Sequence, residues 1–141
     1  MDNAYTQKFV IEGANFYDAG KGSTEIKSIL KQLGINSSII RRVAIAAYEA
    51  EMNVVMYAKR AVITFQVTPK VIKIVVEDEG PGIPNIELAM QEGYSTATME
   101  MQEMGFGAGM GLPNIKKNSD DFKIASTLGK GTNVEITIYI D

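Results

Sequence analysis

The chain has neither histidine nor cysteine, and arginine occurs only at Arg41, Arg42 and Arg60. These absences exclude a disulfide, a Cys/His zinc site, a thiol nucleophile, a Ser-His-Asp triad and a phosphohistidine. Chemistry is left to carboxylates, amides, hydroxyls, lysines, backbone N–H groups or a hard metal such as magnesium. A formal charge of -3 with no basic stripe argues against nucleic acid as a partner, because that binding rests on clustered Lys and Arg. No apolar run approaches the roughly 20 residues that span a bilayer, so no membrane partner is expected. The first residues show no basic segment followed by an apolar one, so no signal peptide is expected and the location expected is cytoplasmic.

What is present is a chain of 141 residues, 45% apolar and 22% charged. That length suits one domain over residues 1–141, since domains commonly run about 100–200 residues. No internal repeat or linker divides it. Residues 7–12 read as a strand, and residues 15–22 as turn chemistry. Ser23 or Thr24 then caps a helix to about Leu33, with Ile26, Ile29, Leu30 and Leu33 at helical spacing and Gly34 as its stop. A long second helix is expected from Asn36 or Ser37 to about Lys59. β-Branched runs at 61–68 and 71–78 form a hairpin through Thr68-Pro69-Lys70. Residues 86–91 suit a short helix, 93–108 lack periodicity, and 111–118 start another helix. Residues 122–126 and 132–140 close the chain as a hairpin. The fold class expected is α/β: a two-layer sandwich of a mixed, mostly antiparallel sheet with helices on one face.

Four segments carry polar groups in patterns that suit a ligand, and each also has an ordinary structural reading. Glu49 and Asn53, four apart on the long helix, share a face; Glu51 lies about 200° round from Glu49, so the two acids are not a dyad. A carboxylate and an amide oxygen on one face suit deprotonation of a hydroxyl beside a hard cation, or merely a solvated helix face. Asp78 ends an apolar strand and precedes Gly80-Pro81-Gly82, where glycines admit a ligand and a carboxylate can accept from an exocyclic amine; an Asp-initiated turn is the plainer reading. Alternating glycines at Gly105, Gly107, Gly109 and Gly111 before a helix suit either an anion cradle or a flexible loop. Gly129-Lys130-Gly131-Thr132 alone is an ordinary hairpin turn.

In this order and combination, from about Phe9 to Ile140, the segments resemble the Bergerat (GHKL) ATP-binding fold of gyrase, a heat-shock chaperone ATPase, mismatch-repair ATPases and histidine kinases. Glu77 to Ile86, Gly93-Tyr94-Ser95-Thr96 and Gly107 to Pro113 are similar to the anti-sigma-factor serine/threonine kinases, in particular the switch kinases of the stressosome. The missing histidine and the lack of a coiled-coil segment disfavour the histidine kinases themselves.

The resemblance implies ATP and Mg2+ as cofactors. It implies Glu49 as general base, Asn53 as the magnesium ligand, and Asp78 as acceptor from the adenine amino group. Gly80, Gly82 and Thr132 would lie near the base. Gly107, Gly109 and Gly111 would present N–H groups to the phosphates, Ser95, Thr96, Ala108, Met110 and Leu112 would also bind the nucleotide, and residues 93–108 would form an ATP lid. It implies phosphorylation of a STAS-domain (anti-sigma antagonist) partner. The alternative is a nucleotide-dependent module that sequesters a sigma factor or activates a phosphatase with little turnover. A homodimer is compatible with either.

Three departures from the pattern are visible. Met56 stands where many histidine kinases carry a basic residue. Residues 93–112 hold no Lys or Arg. Charge compensation at the phosphates would therefore fall to magnesium, N–H groups and Lys116 or Lys117. Residues 97–104 lengthen the lid, and their Met99, Met101 and Met104 suit either packing against a partner or covering the nucleotide.

Overall fold

The computed structural model describes residues 4–91 and 111–140. Strand β1 (Tyr5–Glu12) leads to helices α1 (Lys21–Gln32) and α2 (Ser37–Tyr57). Strands β2 (Arg60–Val67) and β3 (Val71–Glu79) follow as a hairpin, then the single turn α3 (Ile86–Ala89). Helix α4 (Gly111–Lys117) precedes a closing hairpin of β4 (Asp121–Thr127) and β5 (Gly131–Tyr139).

The strands form one sheet in the order β1-β2-β3-β5-β4. Every neighbouring pair is antiparallel, so the mixed sheet expected from the sequence gives way to an antiparallel one among the described residues. The topology supplies the reason. After β3 the chain lays β4 at the far edge, and the tight hairpin returns β5 into the space between. β4 runs in the direction of β3, but β5 separates them and no parallel pair forms.

Side chains alternate across each strand. Ala61, Ile63, Phe65 and Val67 on β2, Ile72, Ile74 and Val76 on β3, and Val134, Ile136 and Ile138 on β5 all point to one face and are buried. The helices cover that face. α2 lies between α1 and α4 and touches β1, β2, β3 and β5. Its Ala46, Ala47 and Ala50 are buried in the same core as Ile26 and Leu30 of α1 and Ile115 of α4. The other face is wet, with Val10 and Tyr139 exposed on it. Burying one face of a sheet beneath one layer of helices is the two-layer α/β arrangement expected from the alternation in the sequence.

The ends of the two long helices differ in origin. α2 starts as expected: Asn36 Oδ1 accepts from Ser38 N–H at 2.8 Å, a local cap. α1 does not start on Ser23 or Thr24. It begins at Lys21, with Gly20 as N-cap at φ 97° and no side-chain cap of its own. Its free N–H groups are met from α2 instead. Glu51 accepts from Gly20 N–H at 3.0 Å, Gly22 N–H at 3.3 Å and Ser23 N–H at 2.9 Å. Glu51 is 1% exposed, and its negative charge sits at the positive end of α1.

Candidate functional site

Residues Glu49 and Asn53 lie on the C-terminal half of α2, one turn apart and both half-buried. The band from Val43 to Val55 that faces the core does not take them in, whereas Glu51 between them is fully committed to α1. Glu49 lines an open groove of about 540 Å³ between α1, α2 and α4, together with Thr24, Lys27, Tyr48 and Asn114. That volume is in the range of small-molecule sites.

Helix α4 runs beside both residues. A Cβ on Gly111 would lie 3.1 Å from Asn53 Oδ1, so the helix backbone passes directly over that amide. One turn on, Asn114 Nδ2 donates to Glu49 Oε2 at 3.3 Å. Glu49 Oε1 has no protein partner among the described residues. Leu112 packs its side chain against the core, which leaves only its backbone for a ligand.

The second cluster forms where β3 ends. Asp78 is half-buried, and its Oδ1 accepts from Thr132 N–H at 2.9 Å. Burial pushes its carboxyl above the ordinary aspartate range, with the Thr132 N–H opposing that rise. The approach of β5 to Asp78 requires glycine at 131, because a Cβ there would overlap the Asp78 carbonyl oxygen. Gly82 holds φ 77°, and its missing Cβ would meet Thr127 O at 2.6 Å. Gly129 N–H donates to Pro81 O at 2.9 Å and Gly80 N–H to Lys130 O at 3.2 Å, so the Gly80–Gly82 turn is laced to the β4–β5 turn.

The structure thus brings the predicted residues into two groups: Glu49, Asn53 and Gly111 beside α4, and Asp78, Gly80, Gly82 and Thr132 at the end of β3. Both border the last turns of α2. A Cβ on Gly80 would lie 3.2 Å from Ala58 Cα at the α2 C-cap, roughly 13 Å along the helix from Glu49. Ser95, Thr96, Gly107, Ala108, Gly109, Met110 and the lid at 93–108 lie outside the described residues. Among the described residues no cluster of three or more acids could hold a metal ion by itself.

Three residues of these groups escaped the sequence reading. Asn114 reaches Glu49 across 65 residues of chain, Ser126 reaches Ile83 across 43, and Glu51 reaches α1 across about 30. Glu51 was at least visible as an acid inside an apolar helix. Nothing local marks the other two.

No helix among the described residues is long and apolar enough to cross a membrane. The sequence matches the family model for the histidine kinase-like ATPase domain over residues 20–138. It is 33% identical over 113 residues to serine/threonine-protein kinase RsbT of Bacillus subtilis, covering 77% of this chain and 79% of that one. It is 34% identical over 122 residues to the anti-sigma F factor of Caldanaerobacter subterraneus, covering 83% and 82%. The anti-sigma F factor of Clostridium acetobutylicum is 29% identical over 139 residues, 95% of this chain and 92% of that one. The family model spans most of the chain, and the protein belongs to the histidine kinase-like ATPase domain family.

Proposed function

We propose that the protein is a serine/threonine kinase of the anti-sigma-factor type, which transfers the γ-phosphoryl group of ATP to a hydroxyl on a STAS-domain partner. The observation that carries this reading is the division of labour on α2. Glu51 is buried and spent on three backbone N–H groups. Glu49, two residues earlier, lines the groove with one oxygen held by Asn114 and the other without a protein partner among the described residues.

In this reading Asp78 accepts from the amino group of the base while Thr132 lies beside it. The triphosphate runs along the end of α2 toward Asn53 and Gly111. The acceptor hydroxyl enters the groove and donates to Glu49 Oε1. As its oxygen bonds to the γ-phosphorus, the proton passes to Glu49 and the bond to the bridging oxygen breaks, releasing ADP. The donor set suits magnesium: a single amide oxygen at Asn53, no acidic cluster among the described residues, and a triphosphate to supply the other oxygens. When bound, the ion neutralises charge on the phosphates, a need sharpened by the absence of Lys and Arg from residues 93–112. Phosphorylation would place roughly -2 charge on the partner and switch its associations.

The relatives named anti-sigma F factor support a second reading, a module that sequesters a sigma factor under nucleotide control. Incubation with Mg-ATP and STAS-domain proteins decides between them. Labelled phosphate on a partner hydroxyl, abolished by Glu49→Gln with ATP binding retained, supports the kinase. Tight nucleotide-dependent binding of a sigma factor with no transfer to any STAS-domain protein supports the module and refutes the kinase.

A further inference from the structure

Ser126, on β4, sits between the Gly82–Ile83 turn and Thr132. Its Oγ accepts from Ile83 N–H at 2.7 Å, lies 2.9 Å from Thr132 Oγ1, and lies 3.3 Å from the Gly131 carbonyl oxygen. A serine hydroxyl has one proton, and here two oxygens compete for it. The separation of 2.9 Å is an ordinary O–H···O length, while 3.3 Å lies beyond the usual range. Either hydroxyl could donate across the 2.9 Å contact, and its shorter length favours Ser126 donating to Thr132 over Gly131. In that arrangement the donors run one way, from the fixed Ile83 N–H through Ser126 to Thr132, and each link polarises the next.

That direction decides what Thr132 can offer. Its N–H is already spent on Asp78 Oδ1 at 2.9 Å. With its Oγ1 accepting from Ser126, its own hydroxyl proton is left to donate. If Ser126 gave its proton to Gly131 instead, Thr132 would donate back to Ser126 and could only accept from a ligand. Asp78 Oδ2, with no protein donor among the described residues, remains an acceptor.

We infer that Ser126 is a specificity-determining positioning residue: it fixes the Thr132 hydroxyl as a donor beside the Asp78 acceptor. An acceptor next to a donor matches the amino group and N1 of adenine. It opposes the keto oxygen and N1–H of guanine, which present the reverse order. This rests on the reading that Asp78 and Thr132 face the base.

The test is titration of the full chain with ATP, GTP and 1-deaza-ATP, in which a C–H replaces N1, each with magnesium. Ser126→Ala should weaken ATP about threefold to tenfold, the worth of one neutral hydrogen bond. The preference for ATP over GTP should narrow by at least that factor, while 1-deaza-ATP binds wild type and variant alike. Ser126→Thr, which keeps the hydroxyl, should restore ATP binding. Thr132→Val, which leaves Ser126 bonded to Ile83, should repeat the selective loss and serves if Ser126→Ala fails to fold. Equal losses for ATP and 1-deaza-ATP would mean that Ser126 only braces the Gly82–Ile83 turn, and would overturn the inference. Unchanged ATP binding in Ser126→Ala would overturn it as well. A wild type that binds ATP and 1-deaza-ATP equally would refute the reading of the pocket itself, a result distinct from either.

Discussion

Replacing Glu51 by Gln should destabilise the protein far more than the same change at Glu49. The Glu51 carboxylate is 1% exposed and serves three N–H donors, Ser23 on one oxygen and Gly20 and Gly22 on the other. An amide can turn its oxygen to one side only, so its NH2 must face at least one of these donors. One charge-assisted bond is lost, about 1.5–3 kcal/mol, and a buried donor is left without a partner. The total expected is about 2–4 kcal/mol, out of the roughly 5–15 kcal/mol by which a domain is normally stable. For a chain of this length each kcal/mol moves Tm by about 2–4 °C, so Tm should fall on the order of 10 °C. Glu49 is half-buried with one bond of 3.3 Å, and Glu49→Gln should stay within about 0.5 kcal/mol of wild type. Urea unfolding followed by circular dichroism measures both, and hydrogen exchange at Gly22 and Ser23 should rise in Glu51→Gln alone. Equal stability of the two variants would refute the assignment of one acid to the fold and the other to the chemistry.

Asp78→Asn keeps the Oδ1 that accepts from Thr132 N–H but removes a charge that burial disfavours. Because the folded carboxyl titrates above the ordinary aspartate value, the cost of its ionised form is present at pH 7 and relieved as the pH falls through that raised value. The variant's Tm should therefore equal or exceed wild type at pH 7, the gap closing toward acid pH, while ATP binding is lost; a Tm several degrees lower at pH 7 would count against this. Asn114→Leu should slow phosphoryl transfer about threefold to tenfold with ATP affinity unchanged, as expected for loss of one hydrogen bond that orients Glu49, and steady-state kinetics separates the two effects. Asn53→Ala should weaken ATP at least about tenfold with magnesium present, as loss of a metal ligand would. In EDTA it should match wild type, and an equal loss in both conditions would speak against a metal-binding role. Gly131→Ala should separate β5 from Asp78 and lower both Tm and ATP affinity, whereas an unchanged nucleotide titration would show that the pocket tolerates the extra methyl.

The extended segments were legible in the sequence because a sheet with one wet face imprints period two on it. The runs at 61–68, 71–78 and 132–140 coincide with β2, β3 and β5 within a residue or two. Helix α2 was legible for the matching reason: Asn36 caps it locally, and Glu49 and Asn53 share a face by helical pitch alone. The start of α1 was not legible, since Ser23 offers a plausible local cap while the true partner, Glu51, comes from another helix. A mostly antiparallel sheet was legible, but that no described pair is parallel was not, because strand order depends on where β4 lands after β3, not on any local pattern.

For the site the same boundary holds. Residue type and short spacing single out Glu49, Asn53, Asp78 and Gly82 as candidates, because helices and turns are local and their geometry follows from neighbours in the chain; Thr132 joins them only through the resemblance to the ATP-binding fold. Tertiary structure alone decides that Glu51 is structural, that Asn114 holds Glu49, and that the Ser126 hydroxyl meets that of Thr132. Each of those is a hydrogen bond between segments brought together only when the apolar face of the sheet is buried under its helices. Such a bond depends on where two backbones meet in space, and the hydrophobic pattern that drives the meeting carries no record of which polar atoms will face each other there.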